Sequence, residues 1–267
     1  MANPQVPSAR IPIFDAHLHI IDKRFPLIEN QGYLPPEFTC DDYLTRMAGQ
    51  HLVGGAVVSG SFQGFDQTYL LAALAQLGPS FVGVTQLPAS VSDEELRHLD
   101  AAGVRAVRFN LKRGGSEDVK HLESFAHRAH ELVGWHAELY VDSAELPTLR
   151  HTLLELPAVS IDHLGLSHAG FGTLLELAAA GVRVKATGFG RVDFDVPSAL
   201  RELYAANPSA LMFGSDLPST RAPRAYRDED IDIIVAALGV EGATRVLWRN
   251  ASELYLANRA VRPAASD

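Results

Sequence analysis

Cysteine is nearly missing from this sequence: Cys40 is the only one in 267 residues. No intrachain disulfide can form, and a cytoplasmic enzyme is the expected setting. Long apolar runs are missing too. No stretch approaches the roughly 20 residues that cross a bilayer. The first ten residues, with Pro4 and Pro7, lack the apolar centre of a secretory signal and are expected to form a flexible N-terminus. Positive charge is scarce, since 23 Lys and Arg stand against 32 Asp and Glu, for a formal net charge of −9. Nucleic acid and anionic membranes would be repelled, so neither is an expected partner. A small anionic substrate is compatible with this charge, because a few arginines can reverse the field inside one cleft. No glycine fingerprint follows the first apolar run, which counts against a doubly wound open sheet. Low-complexity segments and composition breaks are absent, so residues 1–267 read as one domain.

What the chain does have is alternation. Eight short β-like runs, at residues 13–20, 54–60, 81–88, 104–111, 135–142, 159–165, 182–190 and 211–218, are separated mostly by stretches of helical period such as Leu70-Leu71-Ala72-Ala73-Leu74 and Leu174-Leu175-Glu176-Leu177-Ala178. Gly78, Gly103, Gly134 and Gly181 stand just before the next run, where a helix C-terminus favours a left-handed glycine. Ser92 with Glu95 reads as a capping box. Eight strand–helix repeats in a chain that is 47% hydrophobic predict a single-domain (β/α)8 TIM barrel. A C-terminal helical tail over residues 240–260, with Trp248 and Leu254, is expected to pack back onto it.

The chemistry gathers at the C-terminal ends of these runs, the face where such barrels keep their sites. His17 and His19 lie two apart on the first strand and so share a face, with Asp15 behind them. Ser61 follows the second strand; Arg108, Asn110 and Arg113 mark the fourth; Tyr140 ends the fifth. Asp162-His163 ends the sixth, Arg191 follows the seventh and Asp216 ends the eighth. His17, His19, His163 and Asp216 form the expected catalytic set, with Asp216 as the general base that takes a proton from water. By strand parity Asp162 is expected to point away and be structural, and His136 to pack in the lower barrel. Arg108 pointing into a barrel mouth needs an anion. That anion is either a protein carboxylate such as Asp15 or Glu138, or a substrate carboxylate held by a bidentate fork. Arg191 and Arg113 are further candidates for substrate. Two loops, residues 21–38 with Tyr33 and residues 219–230 with Arg221, Arg224 and Arg227, border the same face; the roles of these three arginines are left open.

Taken in order, Phe14-Asp15-Ala16-His17-Leu18-His19, Val107-Arg108-Phe109-Asn110, Gly134-Trp135-His136, Ile161-Asp162-His163-Leu164-Gly165, Val184-Lys185-Ala186-Thr187-Gly188 and Phe213-Gly214-Ser215-Asp216-Leu217-Pro218 resemble the amidohydrolase superfamily in its amidohydrolase-2 branch. Within the branch they resemble the 2-pyrone-4,6-dicarboxylate lactonase-like hydrolases. The resemblance implies a hydrolase that opens a small carboxylated lactone. In it Asp216, His17, His19, His163 and Tyr140 are catalytic, and Arg108, Arg191, Arg113, Ser61 and Tyr33 bind substrate. Metal-dependent members of the superfamily place a histidine at the end of strand five and, in dinuclear members, a carboxylated lysine on strand four. Here Tyr140 occupies the first position, no lysine lies within strand four, and Lys185 is expected to be a structural ion-pair partner. No cofactor is therefore expected. The alternative is one Zn2+ held by His17, His19 and Asp216, in a mononuclear amidohydrolase or a decarboxylase of the same branch. A catalytically inactive metabolite-binding barrel is the reading from a different class. The expected partner is a small anionic substrate; the oligomeric state, including a homo-oligomer, is left open.

Overall fold

In the computed structural model, which describes residues 11–256, the eight apolar runs become eight parallel strands paired in sequence order. They are β1 (Ile13–Leu18), β2 (Leu52–Val58), β3 (Phe81–Thr85), β4 (Val104–Asn110), β5 (His136–Tyr140), β6 (Val159–Ile161), β7 (Arg183–Ala186) and β8 (Leu211–Phe213). Helices alternate with them: α1 (Cys40–Met47), α2 (Thr68–Leu77), α3 (Asp93–Ala101), α4 (Leu122–Val133), α5 (Leu146–Glu155), α6 (Phe171–Ala179), α7 (Val196–Ala206) and α8 (Glu229–Thr244). The ring closes where the Asp216 amide donates to the His17 carbonyl (2.7 Å) and the His19 amide to the Leu217 carbonyl (2.8 Å). This is the expected (β/α)8 barrel. Among the described residues no helix is long and apolar enough to cross a membrane.

Strands buried on both faces read as continuous apolar runs, which is why the pattern was legible. Outward side chains such as Ile13, Leu18, Val107, Phe109 and Leu139 pack against the helices. Phe14, Ala16, Ala56, Val58, Val82, Val84, Ala106 and Met212 fill the lower barrel. Gly134 ends α4 in the left-handed region at φ 73°, its amide bonding the His130 carbonyl. Ser92 caps α3 by accepting from the Glu95 amide at 3.1 Å; the complete two-way box forms at α1, between Thr39 and Asp42.

Past α8 the chain passes through one π-helical turn, Arg245–Arg249, into α9 (Asn250–Leu256). This tail seals the bottom of the barrel. Tyr255 stacks on Phe14 at 5.8 Å between centroids, Ala251 joins the same cluster, and Trp248 and Leu254 pack at its edge. Residues 1–10 and 257–260, parts of the expected N-terminus and tail, lie outside the described residues.

One irregularity decides how β1 presents its side chains. Asp15 pairs with Gly55 but Leu18 with Val57, three steps against two, so the strand carries a bulge. Ala16 and His17 consequently both face the interior. Asp15 points out toward α1, where it takes hydrogen bonds from the Tyr43 hydroxyl (3.0 Å) and from the Ser215 hydroxyl (2.6 Å) and amide (2.8 Å). It is therefore removed as a partner for Arg108.

Candidate active site

The site is built in tiers above the apolar plug. The lowest tier is a buried layer of four formal charges: Arg108 from β4, Glu138 from β5, Asp162 just past β6 and Lys185 from β7, each at most 2% exposed. Arg108 donates to Asp162 Oδ2 through Nη2 (2.7 Å) and Nε (3.2 Å), and to the Ser59 carbonyl through Nη1 (2.9 Å). Lys185 Nζ lies 2.5 Å from Glu138 Oε2, which the Tyr255 hydroxyl also reaches from below at 3.3 Å. Burial alone would push Asp162 up, but the cations Arg108 and Lys185 outweigh it and hold the carboxyl well below its usual range. His136 packs lower still, edge-on to Tyr255 at 5.1 Å, as expected, and burial pulls it down to about 3.

Asp162 thus corrects the parity argument. It faces the barrel interior and pairs with Arg108, because alternation holds only while the ladder continues. β6 stops at Ile161, and His163 and Leu164 take φ of 52° and 51°, a left-handed turn that brings both Asp162 and His163 inward. Lys185 is the ion-pair partner expected of it, yet it also reaches His17.

Three imidazoles form the next tier. The His17 ring centroid lies 5.0 Å from that of His19 and 4.8 Å from that of His163, and His163 meets Tyr140 at 4.9 Å. Backbone crowding keeps them close. A Cβ on Gly214 would fall 2.6 Å from the Cβ of His17, and one on Gly188 would fall 2.7 Å from His163 Nδ1 and 2.9 Å from Arg191 Cδ. His17 is at 3.3 Å from Lys185 Nζ through Nδ1, and His19 Nδ1 is 2.7 Å from the Val58 carbonyl. Burial lowers His17 well below its ordinary value and His163 to about 3, so both rings are neutral.

Asp216 completes the tier. Its φ of 59° turns the carboxylate inward. Oδ2 accepts from Arg191 Nε, with Arg191 Nη2 also at 2.7 Å. Oδ1 is buried without a hydrogen bond, 3.8 Å from His19 Nε2 and 4.0 Å from His17 Nε2, which is itself unpartnered. Burial raises the Asp216 pKa, but the Arg191 guanidinium beside it more than reverses this and holds it below the carboxylate range. His17, His19 and Asp216 bring three potential ligand atoms within 4.8 Å of one another, and His17, Asp162 and His163 form a second such group.

Above these groups opens a pocket of about 380 Å³, solvent at its mouth included. His19, Ser61, Arg108, Asn110, Arg113, Tyr140, His163, Arg191 and Asp216 all line it, so residues from seven strand ends converge. Thr220 and Arg221 line it as well, which the sequence did not single out from their loop. Arg221 bonds Asn30 and lies 4.4 Å over the ring of Tyr33, placing that tyrosine behind the pocket wall rather than in it. Arg224 is instead locked onto Asp230 by two bonds of 3.0 and 2.9 Å, and Arg227 is exposed. Spacing along the loop carries no signal that separates the three.

Comparison with known proteins agrees with this architecture. The family model described as amidohydrolase matches residues 14–256. A 2-pyrone-4,6-dicarboxylate hydrolase of Comamonas testosteroni is 34% identical over 175 residues, a match covering 61% of this chain and 56% of that protein, so just over half its length is spanned. A 4-sulfomuconolactone hydrolase of Rhizobium radiobacter is 27% identical over 91% of this chain and 89% of its own. Among solved structures, a candidate 2-pyrone-4,6-dicarboxylic acid hydrolase from Pseudomonas putida superposes with a TM-score of 0.77 at 26% identity, covering 92% of this chain and 98% of that one.

Proposed function

This chain belongs to the amidohydrolase family, and from that premise we propose that it is a hydrolase opening a small carboxylated lactone, with Asp216 as the base that activates water. The observation carrying the reading is the bare Oδ1 of Asp216, buried at the pocket floor beside two imidazole Nε2 atoms. A water at that point would have an acceptor for its proton while its oxygen faces the pocket. The names of the two relatives, both lactone hydrolases, support the substrate class.

In this reading water attacks the lactone carbonyl, its proton passes to Asp216, and the ring C–O bond breaks to leave a carboxylate and a hydroxyl or enol. His163 and Tyr140 line the pocket where negative charge develops on the carbonyl oxygen, His17 packs against His163 beneath them without lining the pocket itself, and preorganised donors there stabilise the charge. Neutral rings suit the task, since they hold position without a buried net charge. Arg191 and Arg108 grip a substrate carboxylate in the proposal, with Arg113 and Ser61 nearer the mouth. Arg108 is already bonded to Asp162 and Ser59, so it contributes only its remaining N–H groups.

No cofactor enters this proposal. His17, His19 and Asp216 have the donor types and spacing for one divalent ion such as Zn2+, which would polarise the carbonyl and acidify bound water. The contact of Lys185 with His17 runs against it, as set by hydrogen-bonding direction rather than by occupancy. Asp216→Asn, assayed on a panel of carboxylated lactones, should lower kcat by about 10²–10⁴-fold with an unchanged circular dichroism spectrum. Full activity in that variant would remove Asp216 as the base.

A further inference from the structure

Two histidines that look equivalent in sequence meet opposite kinds of atom on their Nδ1 side. His19 Nδ1 lies 2.7 Å from the Val58 carbonyl oxygen. A carbonyl only accepts, so Nδ1 carries a proton, and in the uncharged tautomer that this contact selects Nε2 is the lone pair. His17 Nδ1 lies 3.3 Å from Lys185 Nζ. An ammonium only donates, so here Nδ1 is the acceptor and the proton sits on Nε2. The competing arrangement would have His17 Nδ1–H donate to Asp162 Oδ1 at 3.4 Å or Glu138 Oε1 at 3.6 Å. Lys185 Nζ is the nearest of the three and the one that meets Nδ1 with hydrogen-bonding geometry, whereas both of those oxygens are left without a hydrogen-bond partner. Lys185 is itself held in place by Glu138 at 2.5 Å, with no exposure to solvent.

We propose that Lys185 is a positioning residue that fixes His17 as its Nε2–H tautomer, so that His17 donates and His19 accepts on the two sides of Asp216. This gives the site three distinct roles within a few ångströms. His17 Nε2–H serves a substrate carbonyl oxygen, while His19 Nε2 and Asp216 Oδ1 together accept from the attacking water. It also takes His17 out of the ligand set. A metal ion needs the lone pair of Nε2, and that position holds a hydrogen for as long as Lys185 donates to Nδ1. The proximity of His17, His19 and Asp216 is then a water site and not a cation site. The inference deepens the hydrolytic reading of this site, but its evidence is the direction of two hydrogen bonds and does not depend on the substrate.

The experiment begins with the wild-type full-length chain and needs no activity. Long-range ¹⁵N correlation spectra of histidine-labelled protein should show His17 Nε2 as a protonated, pyrrole-like nitrogen and His19 Nε2 as a bare, pyridine-like one. A pyridine-like Nε2 on His17 overturns the assignment. In Lys185→Met the His17 proton should move to Nδ1, reversing its two nitrogen shifts while His19 is unchanged. The same variant should lose about 10–100-fold in kcat with KM little altered, the scale on which groups orienting a reactive ligand act. Dialysis against zinc chloride followed by metal analysis should leave wild type with far less than one zinc per chain, and Lys185→Met with several-fold more. Stoichiometric zinc on wild type refutes the proposal whatever the enzyme hydrolyses. An absence of lactonase activity with the tautomers as assigned would instead refute only the proposed reaction. If Lys185→Met does not fold, the wild-type spectrum and zinc content still decide.

Discussion

Replacing Asp162 with Asn tests the buried charge layer most directly. Formally, Arg108 and Lys185 are balanced by Glu138 and Asp162, and all four are closed off from water. The substitution keeps the volume but leaves one uncompensated positive charge beneath three imidazoles. Arg108 loses the partner that takes two of its donors at 2.7 and 3.2 Å. Breaking a buried pair by removing one member costs about 3–5 kcal/mol, because the survivor stays desolvated. For a chain of this size each kcal/mol moves Tm by roughly 2–4 °C, so the expected fall is about 6–20 °C. Asp162 is held well below the ordinary carboxylate value. Its contribution is therefore fully present above the unfolded pKa of 3.8 and is lost as pH falls through the lower folded value. Calorimetric melts of both proteins at neutral pH are the assay. A Tm within about 2 °C of wild type would mean that the layer is hydrated or rearranges freely, and the electrostatic account of the barrel floor would have to be abandoned.

Two other perturbations probe parts of the same framework. Burial pushes Asp15 up from 3.8 to about 6 despite hydrogen bonds from Ser215, His17 and Tyr43. Between those values the folded protein keeps a proton that the unfolded chain has released, so stability should decline by roughly 3 kcal/mol as pH rises from about 4 to 6, then level. Urea titrations of wild type and Asp15→Asn should converge across that window; parallel curves would contradict the shift. Gly188→Ala would set a Cβ 2.7 Å from His163 Nδ1 and 2.9 Å from Arg191 Cδ at φ +62°, and displacing both should cut kcat on the order of 10²-fold. Gly172→Ala, where a Cβ meets nothing within 4 Å, is the control and should retain activity.

Most of the fold was readable because the barrel repeats a simple signal. Apolar runs mark strands buried on both faces, and Gly134 marks a left-handed helix end that other residues adopt at a cost. The site residues were readable by type and by position at strand ends, and His163, Tyr140 and Asp216 do line one pocket. Direction was harder. Parity placed Asp162 outward, yet a left-handed turn at His163 and Leu164 brings it in, and the bulge in β1 sends Asp15 out. Such irregularities go with contacts distant in sequence, Asp15 with Ser215 and Asp162 with Arg108, that no local pattern encodes. The same limit applied to Lys185. A structural ion pair was anticipated for it without a named partner, while its approach to His17 crosses the barrel between residues 168 positions apart.

The seal made by Tyr255 against Phe14 has a consequence for how the protein is born. The two rings are separated by 241 positions, and synthesis proceeds at about 5–20 residues per second, so roughly 10–50 s pass between their appearances. The interior face of β1, histidines included, lacks its last neighbour until β8 has been made, and lacks its floor for the whole interval. The ring cannot close until Asp216 bonds the His17 carbonyl. Competence of the site thus waits on the synthesis of β8 and the residues just after it, and a nascent chain stalled before β8 would hold the histidines without their base.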